Sequence, residues 1–273
     1  MREGQPSRTA ERVALERAAH QLLDSPLVLD DPFALRVIAG AQRLELEANP
    51  GQHDRSPMSK PTRALVVART RAAEDELAAS HAKQYVLLGA GLDTFAYRNP
   101  FADVRVFEVD QPDTQALKRE RVALAGMTPP PNLSYAPCDF SRDSLARALA
   151  AAGFNRDRPA VFAWLGVVMY LELDDVLETL RYIVTVPPPS AVVFDYALSP
   201  RRFSWPARKF YEHVLDRLEE QGEPWKTFLE PDSLAQTLHT IGFSAVDDLG
   251  PEEINARYLA DRADGLKLSL IHI

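Results

Sequence analysis

From residue 84 onward the chain alternates short apolar runs with longer amphipathic stretches. Tyr85-Val86-Leu87-Leu88 is a continuous apolar run that stops at Gly89, the pattern of a strand buried on both faces. Similar runs recur at 104–109, 133–136, 160–165 and 191–196, and helical spacing of apolar residues fills 111–125, 141–152 and 174–186. This alternation predicts βαβ units, and hence a parallel sheet with right-handed crossovers. Two more strand candidates, 243–249 and 266–273, follow without a well-formed helix between them, which predicts one antiparallel strand. The expected fold class is α/β: a Rossmann-like, seven-stranded, mostly parallel sheet with one antiparallel strand.

The first 80 residues carry a helical pattern instead. Thr9 is placed to cap a helix bearing Val13, Leu15, Ala18 and Leu22. Asp30-Asp31-Pro32 opens a second amphipathic stretch over 33–46, residues 49–61 have loop composition, and a third helix is predicted over 62–81. After the fifth strand, residues 198–231 interrupt the alternation with Phe203, Trp205, Phe210, Tyr211, Trp225 and Phe228. Asp232 or Ser233 then caps a helix that Gly242 closes. One domain is expected: an N-terminal helical extension (1–82) covering a ligand-binding core (83–198), a helical lid insertion (199–231), and the end of the core (232–273).

The 273 residues are 46% hydrophobic and 26% charged, ordinary values for a chain with a sizeable core. A net charge of −8 disfavours nucleic acid as a partner, because a binder needs a basic face. No apolar run approaches the roughly 18 residues of a membrane span, and 1–11 lacks the apolar centre of a secretory signal. Cys138 is the single cysteine, which excludes an internal disulfide and suits a reducing compartment. A cytoplasmic protein without membrane, nucleic-acid or metal partners is therefore expected.

The candidate chemistry starts at Leu88-Gly89-Ala90-Gly91-Leu92-Asp93-Thr94, where the first parallel strand meets the next helix. Glycine lets the backbone turn tightly and approach a ligand. The second strand ends Phe107-Glu108-Val109-Asp110-Gln111-Pro112, placing Asp110 where an acid typically accepts hydrogen bonds from ribose hydroxyls. Together these features indicate a nucleoside-containing ligand. A dinucleotide fingerprint needs a third glycine where this chain has Thr94. A carboxylate in the turn, Asp93, suits a cationic amino-acid tail better than two phosphates, which favours S-adenosylmethionine over NAD.

Several motifs in order resemble the leucine carboxyl methyltransferase-like group of class I methyltransferases, including its bacterial members linked to polyketide tailoring. They are Arg17-Ala18, Asp31-Pro32-Phe33, Arg69-Thr70-Arg71, the Gly89–Gly91 turn with Asp93 and Arg98, Glu108-Val109-Asp110-Gln111-Pro112, Cys138-Asp139-Phe140 and Gly166-Val167-Val168-Met169-Tyr170-Leu171. The resemblance spans nearly the whole chain. It implies that Gly89, Ala90 and Gly91 lie against the methionine portion of S-adenosyl-L-methionine and that Asp110, followed by Gln111, holds the ribose. It also implies that Asp139 and Phe140 read the adenine, and that Arg69, helped by Arg17, pairs with the cofactor carboxylate. The family usually has Glu where this chain has Leu165, which removes a polar contact facing the cofactor; either Asp93 does part of that work for the amino group or the family role is relaxed here.

Methyl transfer from a sulfonium chiefly requires alignment and exclusion of water. A carboxylate acceptor is ionised at pH 7, whereas a phenol near pKa 10 needs about 4 kcal/mol to ionise and gains from a base. No histidine sits in a base-fixing motif; His213, in the insertion, is the one candidate, and Tyr170 is the other catalytic candidate. The aromatics of 199–231, with Arg201, Arg202, Arg208 and Lys209, are expected to form an acceptor cavity for an acid. The leading expectation is O-methylation of the carboxyl of a small aromatic or polyketide-like metabolite. A phenolic hydroxyl, a protein C-terminal carboxylate, NAD(P)-dependent oxidoreduction and a non-catalytic cofactor-binding module stand as alternatives.

Overall fold

The structure, a computed structural model, describes residues 7–268. Five parallel strands form one sheet: β1 (Gln84–Leu88), β2 (Arg105–Asp110), β3 (Leu133–Pro137), β4 (Val161–Trp164) and β5 (Ala191–Phe194), in the order β3-β2-β1-β4-β5. Strand order reverses beside β1, so a crevice opens at the carboxyl ends of β1 and β4. Alternate side chains of each strand enter different cores. Val86, Leu88, Phe107, Val109, Phe162 and Trp164 pack against helices α8 (Leu145–Ala151), α9 (Leu173–Ile183) and α11 (Pro231–Ile241). On the opposite face, Tyr85, Leu87, Val106, Val161 and Ala163 meet Ala73 and Leu77 of the long helix α5 (Ser59–Ser80). Burial on both faces explains why these strands are runs of apolar residues rather than an alternating pattern.

The helical start of the chain comprises α1 (Arg8–Leu23), α2 (Ala34–Val37), α3 (Gly40–Ala48) and α4 (Pro50–His53) before α5. Ser7, not Thr9, caps α1, accepting from the Ala10 N–H at 3.2 Å. The stretch over 33–46 is two helices with a break at Ile38 and Ala39, and 49–61 contains the single turn α4. Ala14, Ala18 and Ala19 let α1 pack closely on Ala34, Ile38, Leu46 and Leu92. The remaining helices are α6 (Phe95–Arg98), α7 (Pro112–Leu124), α10 (Trp205–Glu220) and α12 (Pro251–Tyr258). Among the described residues, no helix is long and apolar enough to cross a membrane.

Among the described residues five of the seven expected strands form, and none is antiparallel. Residues 243–249 are irregular: Phe243 and Val246 pack on the main core as coil, and Asp248 accepts from the Tyr196 hydroxyl at 2.7 Å. A helix, α12, does lie between the two segments. Its Asn255 side chain donates to the Leu268 carbonyl at 2.9 Å and accepts the Leu268 N–H at 2.8 Å, so a side-chain amide takes the backbone groups that a strand partner would use. Leu266 and Leu268 are buried beside α5 without strand pairing; the rest of that candidate, 269–273, lies outside the described residues.

Candidate active site

The turn after β1 is fixed by its own backbone. Gly89 and Ala90 both donate to the Val109 carbonyl, at 2.8 and 3.0 Å, which ties the turn to the end of β2. Gly89 has φ +71° and Gly91 φ +51°, conformations that glycine adopts without strain. A Cβ on Gly89 would overlap Cγ2 of Val167 in the turn after β4, so the glycine is also required by close approach of two turns. A single cavity wall results, containing Gly89, Ala90, Gly91, Leu165, Gly166 and Val167.

Asp110 ends β2 at the same edge. Its Oδ2 accepts the Gly91 N–H at 2.5 Å and Oδ1 the Gln111 N–H at 2.7 Å. Burial outweighs these bonds and pushes its carboxyl up to about 6. Carboxylate oxygens accept about four hydrogen bonds in all, so capacity remains for ligand hydroxyls. Asp139 and Phe140 lie beyond β3 on the cavity's other flank; Asp139 is half-buried and accepts the Ser141 N–H at 3.0 Å, and the Phe140 ring lies 6.3 Å from that of Trp164.

Two arginines reach the cavity from the helical cover. Arg17 of α1 pairs with Asp93 at 2.9 Å and lies 3.7 Å from Asp31, which also takes the Thr94 hydroxyl. Arg17, Arg98 and Lys118 offset the burial of Asp93 and hold its carboxyl below the ordinary range. Asp93 Oδ1 accepts the Phe95 N–H at 2.7 Å, anchoring the start of α6. Arg69 of α5 donates from Nη1 to Asp195 at 2.8 Å. Asp195 is fully buried one residue past β5, and its other oxygen accepts the Gly166 N–H at 2.6 Å. Leu165 turns partly into the apolar cluster around Leu87 and Ala163.

The insertion closes the cavity differently from expectation. His213 is exposed on α10 and does not line it. Arg202 pairs with Glu230, Lys209 with Glu212, and Arg208 donates to the carbonyls of Arg201 and Phe203; none of these cations borders the cavity. Phe203, Tyr211, Trp225 and Phe228 form the insertion's own core, with ring separations of 5.1, 6.0 and 6.5 Å along that chain. It meets the site through Tyr170, whose ring stands edge-on to Trp225 at 6.4 Å. Burial holds the Tyr170 hydroxyl above its ordinary range, so it stays protonated at neutral pH.

Three participants had no local signal in the sequence. Asp195 is one. Glu223, in the turn after α10, is buried and accepts the Ser7 hydroxyl at 3.2 Å, the Arg8 N–H at 3.2 Å and the Thr9 hydroxyl, while Thr9 lies 3.4 Å from the Tyr170 hydroxyl. Lys226 lines the cavity because its N–H donates to the Met169 carbonyl at 2.7 Å; its ammonium pairs with Glu172 at 3.0 Å.

Residues 10–184 match the family model described as leucine carboxyl methyltransferase. A Bacillus subtilis protein, YktD, named for S-adenosyl-L-methionine-dependent methyl transfer, is 31% identical over 97% of this chain and 95% of its own. A Mycolicibacterium gilvum protein of the same description is 34% identical over 76% of this chain and 73% of its own. Among solved structures, a Thermobifida fusca protein described as a methyltransferase superposes with a TM-score of 0.53 at 16% identity, covering 98% of this chain and 94% of that one. A family DUF574 protein from Streptomyces avermitilis gives 0.52 at 14%, covering 88% and 84%. The glycine turn that a Cβ would block, the open valences of Asp110 and the mixed-charge wall of Arg69 and Asp93 fit a nucleoside carrying an amino-acid tail. The chain belongs to the leucine carboxyl methyltransferase family and is an S-adenosyl-L-methionine-dependent methyltransferase.

Proposed function

We propose that the protein is an O-methyltransferase that esterifies the carboxyl group of a small aromatic or polyketide-like metabolite. Bound S-adenosyl-L-methionine supplies a methyl group on an electrophilic sulfonium. Within this reading Asp110 accepts the ribose hydroxyls, with Gln111 fixing the carboxylate from behind, and Asp139 and Phe140 face the adenine. Gly89, Ala90 and Gly91 border the methionine portion, whose carboxylate meets Arg69 and whose amino group meets Asp93, itself held by Arg17. The remaining work of the chain is to align the acceptor and exclude water.

The observation that carries the choice of acceptor is Tyr170. Its hydroxyl is kept protonated by burial, which makes it a hydrogen-bond donor and a poor base. A donor hydroxyl on the cavity wall suits an anion already ionised at pH 7. The test is labelled-methyl transfer to aromatic acids and to phenols of matched shape. Acids should be methylated at rates nearly independent of pH above about 6, and Tyr170→Phe should raise KM roughly tenfold with kcat nearly kept. Turnover of phenols alone would reject this acceptor class.

Phenolic transfer is the second reading, favoured by Glu223, whose carboxylate borders the same cavity and is linked to Tyr170 through Thr9. Under it, Glu223→Gln abolishes transfer to phenols.

A further inference from the structure

The Arg69 guanidinium lies directly over Gly166. A Cβ built on that glycine, whose φ is +73°, would stand 2.7 Å from Nη2 and 2.9 Å from Nη1. Asp195 takes Nη1, while among the described residues Nη2 has no acceptor, although Arg69 is only 6% exposed and lines the cavity. A buried arginine nitrogen with a free N–H at a cavity wall calls for an anionic ligand atom. Its aim depends on Asp195, which reaches it from the strand next to β4, one position past the Trp164–Phe194 pair.

We propose that Asp195 is a positioning residue: by holding Nη1 of Arg69 and the N–H of Gly166 together, it presents Nη2 to the carboxylate of the cofactor's amino-acid tail. This rests on the assignment of the cavity to the cofactor made above. Arginine has many rotamers, and a guanidinium already pinned on one edge loses less freedom when its other edge meets a carboxylate. Fully buried, Asp195 touches no ligand itself. It places a carboxylate beside the turn that holds Leu165, whose side chain partly enters the apolar cluster.

Calorimetric titration with S-adenosylhomocysteine and with 5′-methylthioadenosine, which has the nucleoside and sulfur but no amino-acid tail, separates the outcomes. Asp195→Asn retains an acceptor oxygen for Gly166 and removes the charge that orients Arg69. It should weaken S-adenosylhomocysteine about ten- to a hundredfold, the usual worth of a charge-assisted hydrogen bond, and change 5′-methylthioadenosine less than about twofold. In an Arg69→Gln background the same substitution should add no further loss. Equal loss of both ligands, or full additivity with Arg69→Gln, overturns the proposal and leaves the cavity assignment standing. Failure of the unmodified protein to bind either ligand overturns the cavity assignment instead. If Asp195→Asn does not accumulate folded, Gly166→Ala makes the same test by displacing the guanidinium with Asp195 intact, and an equal effect on both ligands again overturns the proposal.

Discussion

Arg17 and Asp93 meet at 2.9 Å, joining helix α1 to the turn that follows β1. Asp93 also anchors α6, and the same arginine reaches toward Asp31, which takes the Thr94 hydroxyl. The N-terminal helix α1 is thus bonded to the β1 turn at the wall of the shared cavity. Both partners are buried, so breaking the pair from one side would strand a desolvated charge.

With Asp110 at the ribose as proposed, cofactor binding should depend on pH. Burial pushes its carboxyl up to about 6, against 3.8 for the free group. Folding therefore favours the protonated form, and the stability this contributes is present below about 3.8 and lost as pH rises through about 6. Ligand hydroxyls donate to the ionised form, so S-adenosylhomocysteine affinity should fall as pH drops below about 6. Binding near that pH should release protons, read from the buffer dependence of the calorimetric enthalpy. Asp110→Ala should weaken binding by about 1–3 kcal/mol and remove this pH dependence.

Glu223 ties the insertion to the first turn of α1. Its replacement by Ala leaves the Arg8 N–H and two hydroxyls without their acceptor, at an expected cost of about 1–3 kcal/mol. Limited proteolysis should cut near residues 7–9 faster in Glu223→Ala, and stopped-flow should show faster cofactor release. Unchanged cleavage would mean that other contacts close the site.

Gly89→Ala faces two penalties, a positive φ and overlap with Val167. The backbone cost alone is about 1–3 kcal/mol. Urea unfolding should show at least that loss, with cofactor affinity falling in parallel. Adding Val167→Ala should restore the part due to overlap and leave the backbone part.

His53 gives the helical cover its own pH response. A hydrogen bond donated by its Nε2–H to the buried Glu16 carboxylate, at 2.9 Å, raises the imidazole above its ordinary 6.5 in spite of burial. A raised folded-state pKa stabilises fully below about 6.5 and is lost as pH rises through the higher folded value. Urea midpoints should therefore fall as pH rises above about 6.5, and His53→Gln should flatten that slope.

The five strands and the β1 turn were legible because each is a local pattern: an apolar run, two glycines, and an acid ending the next strand. Asp110 could be found by counting from Gly89. Asp195 and Glu223 could not, since their partners Arg69 and Arg8 lie 126 and 215 positions away in the chain. The strand expected over 243–249 was misread, and 266–268 form none, because both stretches are apolar enough to be buried, and burial without a ladder partner leaves coil. Asn255 supplied that missing pairing from a side chain. The basic residues of the insertion looked like an acid-binding set, yet three of the four have nearer partners: Arg202 with Glu230, Lys209 with Glu212, and Arg208 with the carbonyls of Arg201 and Phe203.

The contact between Gly89 and Val167 also limits how acceptor preference can diverge on this scaffold. The β4 turn lines the cavity, so it is a natural place for size changes. Val167 already occupies the space that a Cβ on Gly89 would need, so a larger side chain at 167 directed toward that glycine would be crowded. Reshaping of the acceptor pocket should therefore fall to the insertion and leave this seam between the two halves of the sheet untouched.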